Sequence, residues 1–466
     1  MLWLLSARYG YNLRTNQPLN RFAKLKNQAY RRIQPRTPTG KKSISQITTC
    51  ASAALRLALL PAALLLAALL LAACGSGEAP AKPENPAGLA ERAERIAAES
   101  IIVDGHIDVP YRVNNKPADV SQATDDGDFD YPRAVAGHLN APFMSIYTPA
   151  ELEAEGRSRE VAEKLIDMVE AIVADAPDKF AVATSVSDVR RHFEERLISL
   201  PLGMENGSPI EGSLDTLQYF YDRGIRYVTL AHSLSNHISD SSYDENRVWN
   251  GLSDFGKSLI PELNRLGIMI DISHVSDEAF WQVMELSAVP AIASHSSARH
   301  FTPGFERNMS DEMIVRLAEE GGIIMINYGS SFITAAARAY SDIRRDARDA
   351  ARAAKPELNA EALKAEYLPA FEAEHGPYPY ATLDDVLDHI DHVVALAGIE
   401  SVGIGSDYDG VGDSLPIGLK DVASYPALIE GLLERGYSEA DIKLILGENL
   451  LRVWSAVEAY AATKKR

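Results

Sequence analysis

Cysteine is nearly missing from this sequence: 466 residues contain two, Cys50 and Cys74. Both fall within the first 74 positions, so no disulfide framework staples the remainder and stability must come from core size. Covalent cysteine chemistry has no thiol to use beyond Cys74. The G-x-S-x-G elbow of serine hydrolases is absent as well. Basic residues are unevenly spread. The first 56 positions hold eleven Lys or Arg and no acid, whereas residues 57–466 carry 35 basic residues against 65 acidic ones. A surplus of about 30 negative charges argues against a nucleic-acid partner, whose binding rests on neutralising phosphates. It suits an exported enzyme that tolerates cations. Any metal site must be built from histidine and carboxylate.

The basic start is followed by an apolar run from Leu57 to Ala73 and then by "LAACGS". A basic lead-in, an apolar stretch and small residues before a cleavage point mark an export signal. Cys74 at that point resembles the lipidated cysteine of a bacterial lipoprotein lipobox. Residues 1–73 are therefore expected to be removed, with Cys74 carrying a lipid that anchors the chain to a bacterial membrane in the cell envelope. A transmembrane anchor is the alternative, since 17 apolar residues sit at the short edge of a span. Residues 74–95, which include the Pro-, Gly- and Ala-rich "GSGEAPAKPENPAG", read as a flexible tether, with a helical pattern starting near residue 89. Residues 96–462 read as one domain.

Apolar runs then recur as "SIIVDGHID", "APFMSIYT", "LISLPLGMENG", "IRYVTLAHS", "GIMIDISHVS", "VPAIASHSS", "GGIIMINYGS" and "SVGIGSDYDG". Most are continuous rather than alternating, as in parallel strands covered on both faces. Helical patterns lie between them. Residues 253–266 place Phe255, Leu259, Leu263 and Leu266 on one stripe before Gly267, and residues 310–320 begin with a serine cap and end at Gly321. Eight strand–helix units imply a (β/α)₈ barrel, with a doubly wound open sheet as the alternative. Residues 331–380, rich in Ala, Arg and Glu, form an oversized connection expected to be surface helices. No internal repeat is present.

In a barrel, catalytic groups sit at the C-terminal ends of strands. His106 and Asp108 end the first run, Glu205 the third, His232 the fourth, His274 the fifth, His295 the sixth and Asp407 the eighth. Imidazole and carboxylate suit Zn²⁺. The set exceeds what one zinc needs, but a pair of ions roughly 3.5–4 Å apart, sharing a carboxylate and a hydroxide, would use it all. His237 reads as a loop residue, Asp409 as a turn residue behind Asp407, and His389 and His392 as a solvated helix face.

The ordered motifs "DGHID", "GMENG", "VTLAHS", "DISHVS", "SHSS" and "GIGSDYDG" resemble the membrane (renal) dipeptidase family of dinuclear zinc hydrolases, in the amidohydrolase superfamily. The resemblance runs from residue 98 to 460. It implies two Zn²⁺ per chain, with His106 and Asp108 on the first, His274 and His295 on the second and Glu205 bridging. It implies that His232 contacts substrate and the tetrahedral intermediate, that Arg307 receives the substrate's terminal carboxylate, and that Asp407 moves a proton. The family's usual Asn between the first two ligands is Ile107 here. The implied activity is hydrolysis of free dipeptides by the bridging hydroxide, including dipeptides with a C-terminal D-residue. A homodimer is the expected assembly. Action on another amide, lactam or ester is one alternative, and a non-catalytic peptide-binding lipoprotein is the other.

Overall fold

A computed structural model describes residues 86–464. The expected export signal, Cys74 and the start of the tether lie outside the described residues. The first described helix, α1 (Pro86–Glu99), takes up residues 86–95 of the stretch read as tether. Proline at its first position costs the helix no hydrogen bond and presets the backbone.

Eight strands form the barrel: β1 (Ile102–Ile107), β2 (Leu139–Tyr147), β3 (Leu202–Glu205), β4 (Ile225–Thr229), β5 (Met269–Asp271), β6 (Ile292–Ala293), β7 (Ile323–Ile326) and β8 (Val402–Ile404). Each falls in one of the eight apolar runs, β2 starting two residues ahead of its run. They pair in parallel in chain order, and β8 closes onto β1, making a barrel rather than an open sheet. A separate parallel pair joins Phe180–Val182 to Ile198–Leu200, the latter being the opening of the third apolar run.

Helices cover the outside. α2 (Asp254–Leu266) starts where the Ser253 side chain accepts from Gly256 N and stops at Gly267, whose φ of 90° needs no Cβ. α3 (Asp311–Glu319) is capped the same way by Ser310. The oversized connection is indeed helical, as α4 (Ala335–Ala354) and α5 (Ala360–His375), and Tyr340, Phe371 and Tyr378 give it a small core of its own. Then come α6 (Leu383–Ala397), α7 (Tyr425–Glu434) and α8 (Asn449–Lys464). Among the described residues no helix is long and apolar enough to cross a membrane.

Two apolar layers result. One lies between sheet and helices; the other fills the barrel, where Val103, Phe143, Tyr227 and Met325 meet Leu450 and Trp454 of α8. The Trp454 ring is fully buried, 5.3 Å from that of Phe143. The last helix thus closes the barrel's lower end and leaves the C-terminal ends of the strands as the place for chemistry.

Candidate metal centre

Strict alternation would put Asp104, His106 and Asp108 on one side of β1. The pairing with β2 is irregular between Asp104 and Ile107, and the two acids part company. Asp104 faces α7, accepting from Tyr425 Oη at 2.5 Å and from the backbone of His106 and Ser406, each at 3.0 Å. That buried carboxylate fastens β1 to the chain leaving β8. His106 turns inward instead, and Ile107 packs in the outer layer.

Glu205 is the hub. Its Oε2 lies 3.4 Å from His106 Nε2, and its Oε1 lies 3.2 Å from His274 Nε2, 3.4 Å from His232 Nε2 and 3.5 Å from His295 Nε2. His274 Nε2 and His295 Nε2 are 2.9 Å apart, and His106 Nε2 is 3.5 Å from Asp108 Oδ2. Side chains from four strand ends, spread from residue 106 to residue 295, therefore converge on the carboxylate that ends a fifth. His106 Nε2 and Asp108 Oδ1 are buried with no hydrogen-bond partner. Unsatisfied polar atoms so deep are costly unless something else takes them up. Neutral imidazoles and carboxylates around them form a donor set that fits borderline divalent ions.

His232 also belongs to this cluster, grouped with Glu205 and His274 within ligand reach. The structure places it as closely as the expected ligands, while its Nδ1 has no partner and its ring rests 4.6 Å from that of Tyr147. Asp407 joins His106 and Asp108 in a further group. Backbone strain concentrates here: His274 and Asp407 have φ of 69° and 63°, uncommon for residues with a Cβ and held only where surroundings enforce them. Gly410 makes room for two carboxylates, since a Cβ there would stand 2.1 Å from Asp407 Oδ1 and 2.2 Å from Asp108 Oδ2.

Several supporting residues carry no sequence signal of comparable strength. Tyr227 Oη sits 2.8 Å from His106 Nδ1. Ser294 Oγ lies 2.7 Å from His295 Nδ1 and donates to Asp271 at 2.6 Å. Ser145 donates to Glu205 at 3.0 Å and Asn327 to Asp407 at 2.7 Å. Ser145 lies in β2 and Asn327 directly after β7, the two strands whose ends contribute no expected site residue. The strand-end rule, applied to all eight runs, points to Asn327 in "MINYG".

Burial, aided by the charge of Arg307, holds His274 well below the ordinary histidine range; burial and then His106 do the same for His295. Both rings are thus neutral at pH 7, the form that ligates metals. Burial opposes ionisation of Glu205, but the imidazoles of His106 and His232 outweigh it and hold the carboxylate well below its usual range. Asp407 goes the other way, pushed well above that range by burial and by the charge of Asp108.

Arg307 is buried near the histidines, its Nη1 donating to Ser296 Oγ and its Nη2 to the His295 carbonyl, both at 2.7 Å. Its Nε has no partner, no carboxylate pairs with it among the described residues, and Phe332 lies over the guanidinium at 5.4 Å. His237 is a loop residue bound to Glu153, as expected. Asp409 is held by Arg112 at 2.8 Å. His389 is not on a solvated face: it is fully buried, accepting from Ala298 N and reaching the Ile333 carbonyl. The acids on either side of it in sequence mask an inward turn of the helix.

The cluster opens into a cavity of about 940 Å³, lined on the barrel side by Asp108, Glu205, His232, His274 and Asp407. The inserted segment supplies its outer wall through Phe332 ahead of α4, Arg344 on α4 and Tyr378 beyond α5. Such a volume is at the upper end of small-molecule sites.

The sequence profile described as Membrane dipeptidase (Peptidase family M19) matches residues 90–466. A Schizosaccharomyces pombe protein named an uncharacterized dipeptidase is 31% identical over 374 residues, covering 77% of this chain and 81% of its own. Among solved structures, the probable dipeptidase PvdM from Pseudomonas aeruginosa superimposes with a TM-score of 0.71 at 28% identity, covering 81% of this chain and all of its own. A metallo peptidase from Rhodobacter sphaeroides, liganded with a phosphinate mimic of the dipeptide L-Ala-D-Ala, shares the fold with a TM-score of 0.63 at 24% identity, covering 77% of this chain and 99% of its own.

Proposed function

The chain belongs to the membrane dipeptidase family, and from that premise we propose that it hydrolyses free dipeptides with two zinc ions held by the Glu205 cluster. The observation that carries this is one carboxylate with four imidazole nitrogens within 3.2–3.5 Å of its oxygens. His106, Asp108 and Glu205 would hold one ion, and Glu205, His274 and His295 the other. When bound, the pair supplies Lewis-acid polarisation of the scissile carbonyl and lowers the pKa of water.

The chain's own groups do the rest. His232 stands at the cavity wall beside Glu205, where an N–H can face the oxygen on which charge develops. Asp407, steadied by Asn327 and favouring its protonated form, can hand a proton to the departing amine. Arg307, a buried cation without a carboxylate partner, suits the terminal carboxylate of a dipeptide. A structural relative that holds a mimic of L-Ala-D-Ala makes that dipeptide the first to try, and the reading includes C-terminal D-residues. The pattern of residues 1–74 supports export and lipidation at Cys74, and with them a location in the cell envelope.

The test is a dipeptide library, with L-Ala-L-Ala and L-Ala-D-Ala among its members, on zinc-replete and chelated protein. Free amino acids should appear with zinc and not after chelation. No release from any dipeptide would sink the reading. Turnover of lactams, esters or N-acyl amino acids instead would assign another hydrolytic chemistry to the same cluster.

A further inference from the structure

Another constellation of ligand-type side chains lies away from the catalytic cavity. His300 stands on the short turn Arg299–Phe301, Asp311 opens α3, and His392 faces outward from α6 one turn beyond the buried His389. Each offers one ligand atom, and these atoms lie within 4.8 Å of one another. His392 Nε2 is 2.8 Å from Asp311 Oδ1. The His300 ring stacks on that of His392 at 4.4 Å between centroids and 26° between planes. Among the described residues His300 has ring contacts but no hydrogen bond, so its ring nitrogens are available. None of the three lines the Glu205 cavity.

Two imidazoles and a carboxylate are a donor set for Zn²⁺, which takes nitrogen and oxygen ligands at about 2.0–2.2 Å. Bonds of that length require donor atoms roughly 3.3 Å apart in tetrahedral geometry. The His392–Asp311 pair is already that close, and His300, being exposed, can close the remaining gap by a rotamer adjustment. Three protein ligands leave room for water, so such a site would exchange its ion with solvent.

Its position gives it a consequence. Ala298 and Met309 are bridged, closing residues 298–309 into a loop that carries both His300 and Arg307. The buried His389 already grips the base of this loop through Ala298 N at 3.1 Å, and the Phe301 ring rests 4.3 Å from its ring. An ion on His300, Asp311 and His392 would add a second grip on the same loop from the same helix.

The geometry points to a second, solvent-facing site for Zn²⁺ or a similar borderline divalent ion at His300, Asp311 and His392, which fastens the Arg307 loop to α6. The test is zinc titration of chelated full-length protein by calorimetry, wild type against His300→Ala, a substitution at an exposed position outside the Glu205 cluster. The wild type should take up one equivalent that the variant lacks or binds at least tenfold more weakly. Hydrogen exchange of residues 298–309 should slow on adding that equivalent in the wild type alone. Equal equivalents at equal affinities, with equal exchange, would leave His392–Asp311 as a simple ion pair and overturn the proposal. The comparison is a difference between two proteins with the same Glu205 cluster, so it stands or falls apart from the dipeptidase reading.

Discussion

Ser294 Oγ is 2.7 Å from His295 Nδ1 and spends its own proton on Asp271 Oδ2, 2.6 Å away. The hydroxyl must therefore accept from the His295 Nδ1–H, which leaves the Nε2 lone pair facing Glu205. Asp271 is fully buried and also accepts from the backbone of Ser273 and Ser294. Groups that orient a ligating histidine in this way are typically worth about 10–100-fold in metal affinity. Ser294→Ala should lose zinc affinity by that order while keeping its fold, as measured by competition with a chromogenic chelator and by circular dichroism. Unchanged affinity would show that packing alone sets the ring.

Asp407 is expected to act on the reaction rather than on metal retention. Asp407→Asn keeps the contact to Asn327 but has no proton to give. Turnover should fall by about 10²–10⁴ with zinc content unchanged. Equal kcat in variant and wild type removes the role.

Gly203 in β3 tests how the barrel interior supports the site. A Cβ there would fall 1.9 Å from the Tyr227 ring, whose hydroxyl sits 2.8 Å from His106 Nδ1. Gly203→Ala should cost about 1–3 kcal/mol from overpacking and also weaken zinc binding, because the ring it displaces positions His106. Loss of stability with full zinc affinity would separate Tyr227 from the site.

Asp128 gives a pH signature. Burial first, and the charge of Asp409 second, push its folded pKa up to about 7, against about 3.9 in an unfolded chain. Folded protein thus keeps a proton that the unfolded chain releases. The contribution to stability is full below about pH 4, declines as pH rises toward 7 and is gone above it. Asp128→Asn retains an acceptor for Asp409 N, 2.8 Å away, without the charge. The variant should gain on the wild type as pH is raised from about 4 to about 8 in urea unfolding. A stability difference that does not change with pH would refute the assignment.

The barrel and the side chains that gather around Glu205 are legible in the sequence because both follow simple rules. Parallel strands buried on two faces leave continuous apolar runs, and catalytic groups gather where those runs end. Tyr227 and Ser294 are not legible, since a tyrosine inside a strand and a serine beside a histidine look like ordinary packing until the register brings them to an imidazole. Asp104 misleads for a related reason: a pairing irregularity of β1 sends it to Tyr425, which alternation does not foresee. His389 and His392 share a helix and acidic neighbours, yet one is buried and the other faces outward, because only the tertiary fold decides which turn of α6 meets the loop after β6.

Trp454 and its neighbours on α8 seal the foot of the barrel, and this dictates traffic. Among the described residues the foot offers no way through, so whatever reaches the Glu205 cluster comes and goes on the side of the C-terminal strand ends. A molecule that has reached the Glu205 cluster therefore stands in the path of the next arrival.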